Sequence, residues 1–226
     1  RGFAAACREL VVDASIRVVV VSGEGRAFMA GGDLQALQAD PVGAAQALLP
    51  AMHEALTILT ELPAPVIASV QGLVAGGGLG VALAADLCIA AEGSRFHFAY
   101  PVIGASADCG SSWSLARHVG LRRALEIALL AQPLEAAEAM RLGLVNRTVA
   151  AERLEPETAA LARQLADGAP LALGAIKRLL RSAPDHGWAD HLQAEAHAFT
   201  ACAASADFRE GCAALLERRA PRFSGA

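Results

Sequence analysis

The chain has 226 residues, 19 basic and 23 acidic, for a formal net charge of -4; 54% of it is hydrophobic and only 4% aromatic. That length suits one globular unit with a buried core. The near-balanced charge, with no basic run on any one segment, argues against a nucleic-acid partner. No apolar stretch reads as the roughly 18 uninterrupted residues of a membrane span, and the first residues carry no signal-peptide pattern. Cys7, Cys88, Cys109, Cys202 and Cys212 are odd in number, widely spaced and without a C-x-x-C pair. They suggest neither a disulfide framework nor a zinc site, and a cytoplasmic location is the expectation.

In chain order, residues 17–21 form a β-branched run that ends in the turn Gly23-Glu24-Gly25. Residues 52–62 place Met52, Leu56, Leu59 and Leu62 at helical spacing, stopped by Pro63 and Pro65. Residues 66–70 predict a buried strand that runs into Gly76-Gly77-Gly78, followed by a small helix over 79–85. Strands are expected over 87–91, 95–99 and 144–149, and helices over 111–119, 122–130 and 135–142, the last closed by Gly143. From about residue 151 every signal is helical, broken at Gly168-Ala169-Pro170 and Pro184. Asp207 and Glu210 have the spacing of a capping box for a final helix. The outline is a mixed β/α core over 1–150 and a helical region over 151–226.

Two glycine clusters carry the chemistry. Ala30-Gly31-Gly32-Asp33 follows the first strand and turn, and Gly76-Gly77-Gly78 joins a strand to a helix. Amides at a helix start have no intrahelical partner, and two such donors from separate loops could form an oxyanion hole. Both clusters could equally be tight packing turns. Neither fits a nucleotide phosphate loop. Asp108, in the loop 104–110, is either a helix cap or an acid/base. His53 lies on the helix before the 66–70 strand. Tyr100 and Trp113 flank the Asp108 loop as core filler or as pocket walls. Ser111 and Ser112 lack the G-x-S-x-G setting of a hydrolase nucleophile. His97 has no second ligand at metal spacing.

Residues 26–34, with Ala30, Gly31, Gly32, Asp33 and Leu34, resemble the first signature of the crotonase, or enoyl-CoA hydratase/isomerase, family. Residues 65–92 resemble its second, and 137–149 and 207–225 also match family segments. The resemblance implies a crotonase/ClpP-like α/β fold, a β-β-α spiral core with a C-terminal helical region. The strand pair with which family members usually begin has no counterpart here. It further implies an acyl-CoA thioester substrate, no cofactor beyond the coenzyme A of the substrate itself, and a homotrimer or a hexamer of two trimers. Carried over by position, the Gly32 and Gly77 amides hold the thioester oxygen, while Ala30, Asp33 and Leu34 line the coenzyme A path.

The two glutamates of family hydratases fall at Gly80 and Val102, and neither residue can move a proton. Asp108, ahead of Cys109-Gly110-Ser111-Ser112-Trp113, matches instead the aspartate of double-bond isomerases. A related placement makes Asp108 the nucleophile of 4-chlorobenzoyl-CoA dehalogenases, with His53 near their hydrolytic histidine and Tyr100 where they have tryptophan. Isomerisation is the leading expectation. Dehalogenase-like hydrolysis, residual hydration and non-catalytic acyl-CoA binding are the alternatives.

Overall fold

The computed structural model describes residues 2–226. Helix α1 (Gly2–Val12) leads to β1 (Val19–Ser22), and two helices follow, α2 (Leu34–Ala39) and α3 (Pro41–Glu61). Then come β2 (Val66–Val70), β3 (Leu73–Ala75), α4 (Gly77–Ala84), β4 (Leu87–Ala91) and β5 (Arg95–His97). A single 3-10 turn over Tyr100–Ile103 precedes α5 (Ser111–Val119) and α6 (Leu121–Leu130). The core closes with β6 (Leu134–Glu135), α7 (Ala136–Arg141) and β7 (Arg147–Val149). The remaining helices are α8 (Leu154–Ala166), α9 (Pro170–Ser182), α10 (Trp188–Ala203) and α11 (Ala206–Glu217).

The strands form two sheets. One is wholly parallel, in the order β1-β2-β4-β7; the other runs β3-β5-β6, parallel then antiparallel. Successive strands β2 and β3 go to different sheets, as do β4 and β5, and a helix follows each pair. This is the β-β-α spiral that the resemblance implied. β2 is buried on both faces, as an inner strand of a parallel sheet covered by helices must be. Helix α4 is apolar all round, and Gly78 through Ala84 are all buried.

Several expected boundaries move. The helix expected over 52–62 begins at Pro41, with Asp40 as its cap and Pro41 in the first turn, where a missing N–H costs nothing. It continues through Pro50 because Met52, Ala55, Leu56 and Leu59 are buried beyond it. At 21 residues this helix is long and apolar enough to cross a membrane by length and composition, contrary to the reading of the sequence. Its buried stripe packs into the core against Leu79 and Val81 of α4 and Ala4 and Cys7 of α1. The strand expected over 144–149 shortens to β7, and the proposed capping box is not formed. Ser205 caps α11, accepting from the amide of Phe208, while Asp207 accepts from the amides of Ser224 and Gly225. Asp207 is thus a buried clamp on the C-terminal tail.

Helix α8 joins the core by covering the parallel sheet. Leu154 and Leu161 pack on Ile67 and Ile89, and Ser69 and Thr158 hydrogen-bond at 2.9 Å. Helix α9 is pinned by charge. Asp86 receives Lys177 Nζ at 2.8 Å, Arg181 Nε and Nη2 at 2.9 and 2.6 Å, and the Val66 amide at 2.8 Å. Lys177 also donates to the carbonyls of Leu59 and Ala64, so a buried ammonium has its donors satisfied. All five cysteines are free thiols.

Candidate active site

The two glycine clusters meet. Met29 bridges to Val74, and the Ala75 amide donates to the Met29 carbonyl, so the first loop lies along β3 like an extra strand. Gly31 and Gly76 face each other closely enough that a Cβ on Gly76 would lie 3.5 Å from the Gly31 Cα. Gly76 has φ +52° and ψ -128°, a conformation that L side chains avoid, and it delivers the chain into α4 at Gly77. Among the described residues, the N–H groups of Gly32 and Gly77 have no hydrogen-bond acceptor. The Gly76 amide, by contrast, is taken by the His97 carbonyl. Free amides therefore stand in the two adjoining loops, one of them at a helix N-terminus where negative charge is favoured.

Asp108 comes to the same place from the loop before α5. A Cβ on Gly77 would lie 3.6 Å from Asp108 Oδ1 and 3.2 Å from Cys109 Sγ. The aspartate is not a helix cap: the capping residue of α5 is Gly110, and no side chain bonds there. Instead Tyr100 donates its hydroxyl hydrogen to Asp108 Oδ1 at 2.6 Å. Ser111 Oγ donates to the Asp108 carbonyl at 2.8 Å and lies 3.3 Å from the phenol oxygen. The turn that presents the carboxylate is strained. Cys109 takes φ +50° and Gly110 φ +66°, and for cysteine this is a sparsely populated conformation. Burial, and then the Asp108 charge, push the Cys109 thiol up to about 12. Burial followed by the hydrogen bond to Asp108 raises the Tyr100 phenol well above its ordinary value. Both therefore stay protonated near neutrality.

Neither position at which the resemblance would put a hydratase glutamate holds an acid, and one of them is sterically blocked. Val102 is 68% exposed, on the outer side of the 3-10 turn. At Gly80 an added Cβ would be 2.7 Å from the Cys109 Cβ, and nearer still to the Cys109 carbonyl oxygen. The loop that carries Asp108 occupies the space a side chain at 80 would need.

An adjoining groove of about 780 Å³ runs between α3, α5 and α9. His53, Leu56, Cys109, Gly110 and Trp113 line it, with Arg178 on the α9 side. Trp113 is half-exposed, and the Arg117 guanidinium stacks 3.7 Å from its ring centre. His53 is exposed on the groove wall, and no hydrogen bond joins it to Asp108. Tyr100, which the sequence leaves open between core filler and pocket wall, is buried and bonded to Asp108. Ala30, Asp33 and Leu34 are all exposed beside Gly32 but do not line this groove; Asp33 borders a separate pocket with Leu37 and Leu48, and its carboxylate caps α2 through the amides of Gln35 and Ala36. His97 is satisfied structurally, donating from Nε2 to the Ala131 carbonyl. Among the described residues no three His, Cys, Asp or Glu side chains cluster as metal ligands.

The model of the enoyl-CoA hydratase/isomerase family matches residues 2–226. The chain belongs to that family. It is 37% identical to the 1,2-epoxyphenylacetyl-CoA isomerase of Escherichia coli over 217 residues, covering 94% of this chain and 83% of the relative. It is 38% identical to a probable enoyl-CoA hydratase of Rhodobacter capsulatus over 209 residues, 92% of this chain and 81% of the relative. The crystal structure of an enoyl-CoA hydratase from Polaromonas sp. JS666 superposes with a TM-score of 0.93 at 35% identity, over 98% of this chain and 89% of that one. Family membership makes the chain an enzyme of the hydratase/isomerase type acting on acyl-CoA.

The spacing of glycines in the sequence could suggest the paired amides. It could not suggest the Tyr100–Asp108 bond, which spans an irregular turn. Nor could it suggest that Cys109 fills the space over Gly80, since their contact depends on how the loop folds back on α4.

Proposed function

We propose that this enzyme moves the double bond of an enoyl-CoA thioester, with Asp108 as the one acid/base. The observation that carries this reading is a carboxylate beside Gly77 with no second acid at the positions of Gly80 and Val102. The amides of Gly32 and Gly77 would hold the thioester oxygen. Asp108 takes a proton from C2 of a 3-enoyl thioester; the electrons of that C–H bond pass into the thioester, and the oxygen becomes enolate-like between the two amides. The same carboxyl returns the proton to C4, the C2=C3 bond forms and the carbonyl is restored. One proton moves and no electrons leave, so the step needs neither metal nor redox cofactor. Hydration would need a second group to handle water. The isomerase relative in E. coli is in keeping with this assignment.

His53 on the groove wall favours a second reading, in which Asp108 attacks the chlorine-bearing carbon of an aromatic acyl-CoA, chloride leaves to give an aryl ester, and water activated by His53 hydrolyses that ester, freeing the phenol and the carboxylate. Incubation with matched 2-enoyl-, 3-enoyl- and 4-chlorobenzoyl-CoA, with products identified by mass and NMR, separates the readings. Asp108→Asn should lower isomerisation by about 100- to 10,000-fold, the usual worth of a general base, while acyl-CoA affinity stays within a few fold. Full isomerase activity in Asp108→Asn, or rapid hydration that ignores Asp108, would defeat the proposal.

A further inference from the structure

We infer that Tyr100 is a positioning residue that claims one oxygen of Asp108, so that the other oxygen alone takes up and returns the proton. The inference rests on the isomerase reading for its chemistry but on geometry for its origin. Tyr100 is buried to 5% exposure, and its hydroxyl lies 2.6 Å from Oδ1. Its ring is held edge-on to Phe98, with centroids 4.9 Å apart, and its oxygen is backed by Ser111. The phenol therefore cannot follow the carboxylate if that group turns. Asp108 Oδ2, by contrast, accepts no hydrogen bond from any N–H or O–H among the described residues; besides Tyr100, only the weakly donating thiol of Cys109 bonds to the carboxylate side chain.

A carboxylate has two equivalent oxygens, and free rotation would present either to the substrate or to water. Fixing Oδ1 removes that choice. The proton taken from C2 then resides on Oδ2, which stays over the same face of the dienolate and delivers it to C4. Two consequences follow. The shift is suprafacial, and part of any deuterium placed at C2 should reach C4 instead of washing out to solvent. The phenol keeps its own proton throughout: burial and the neighbouring Asp108 charge both oppose the phenolate. The neighbouring thiol of Cys109 is neutral as well, and the other ionisable groups on the groove walls are His53, Glu61, Arg178 and Arg181, the last paired with Asp86.

Two measurements test the inference, and one needs no activity. Tyr100 is the only tyrosine in the chain, so tyrosinate absorbance reports this one contact. In Asp108→Asn the absorbance should rise at lower pH than in the parent, because the charge opposing ionisation is gone. Identical titrations in the two proteins would overturn the inference. For turnover, Tyr100→Phe keeps the ring and removes the hydroxyl. Its kcat should fall about tenfold or more, the scale of a hydrogen bond to a charged group, with KM within twofold and with C2-to-C4 deuterium transfer sharply reduced. Unchanged kcat and unchanged transfer would overturn it, as would a rise in KM that alone accounts for the loss. Should Tyr100→Phe fail to fold, deuterium transfer is read instead in Ser111→Ala, which removes the group backing the phenol oxygen, and unchanged transfer there would overturn the inference. A shifted tyrosine titration in an Asp108→Asn protein that remains fully active would support the Tyr100–Asp108 coupling while sinking the isomerase reading.

Discussion

Gly80 and Asp108 belong to one decision. With no side chain at 80, the backbone of Cys109 rests on α4, and that contact places the neighbouring Asp108 carboxylate beside Gly77. A glutamate at 80 would meet Cys109 backbone, not the yielding end of a flexible side chain. Overpacking of this sort is relieved by displacement, and a shift of about 1 Å at a catalytic group can cost about 100-fold in rate. Gly80→Glu should therefore lose isomerisation by at least tenfold without gaining hydration of crotonyl-CoA, while the amide of Gly77 still binds the thioester. Product analysis by NMR checks this. A variant that hydrates crotonyl-CoA quickly and still isomerises would show that the two carboxylates can share the site.

Between the elements, the same distinction separates what the sequence discloses from what it hides. β2 and β4 lie within the limits expected of them, because a fully buried parallel strand is a continuous apolar run bounded by turn residues. Helix α1 and the first half of α3 are harder to read: alanine-rich stretches have weak periodicity, and Pro50 looks like a stop until packing on its far side holds the helix together. Asp207 has cap-like spacing, but its partners lie 17 and 18 residues ahead in the tail. Long-range polar contacts leave no local signal. The same holds for Asp86, which ties α9 to the parallel sheet. Its side chain is only 17% exposed and that of Lys177 6%.

Burial lowers the Lys177 ammonium below its ordinary value, and the bond to Asp86 works against that shift. Asp86→Ala leaves the buried Lys177 ammonium without its counter-charge and the Val66 amide without its acceptor. It should cost about 3–5 kcal/mol, the usual penalty for breaking a buried pair from one side. The pH dependence has a definite sign. Without Asp86 the Lys177 pKa drops further in the folded state, so the unfolded chain binds more protons between that value and 10.5. The deficit should shrink as pH rises through this window. Denaturant melts of parent and variant at neutral and alkaline pH read it directly, and a deficit that is small at neutral pH or grows with pH would contradict the argument.

The last helices of the chain leave several large apolar side chains exposed. Helix α10 has 16 residues and none is buried; Trp188 is 78% exposed and Phe199 65%. On α11, Leu215 and Leu216 are exposed to 80% and 85%. A helix of that length gains little stability from its own hydrogen bonds and depends on packing. Apolar surface gathered on neighbouring helices marks an interaction face. We expect that face to meet further copies of the chain, with threefold assembly as the resemblance implies, so light scattering at micromolar concentration should give a multiple of 23.2 kDa. The paired change Leu215→Asp and Leu216→Asp tests the face itself. Both side chains are largely exposed in the single chain, so the change should spare the fold, as circular dichroism would show, yet it should drive the mass toward that of one chain. A monomeric parent would refute assembly, and a variant of unchanged mass would place the interface on another face.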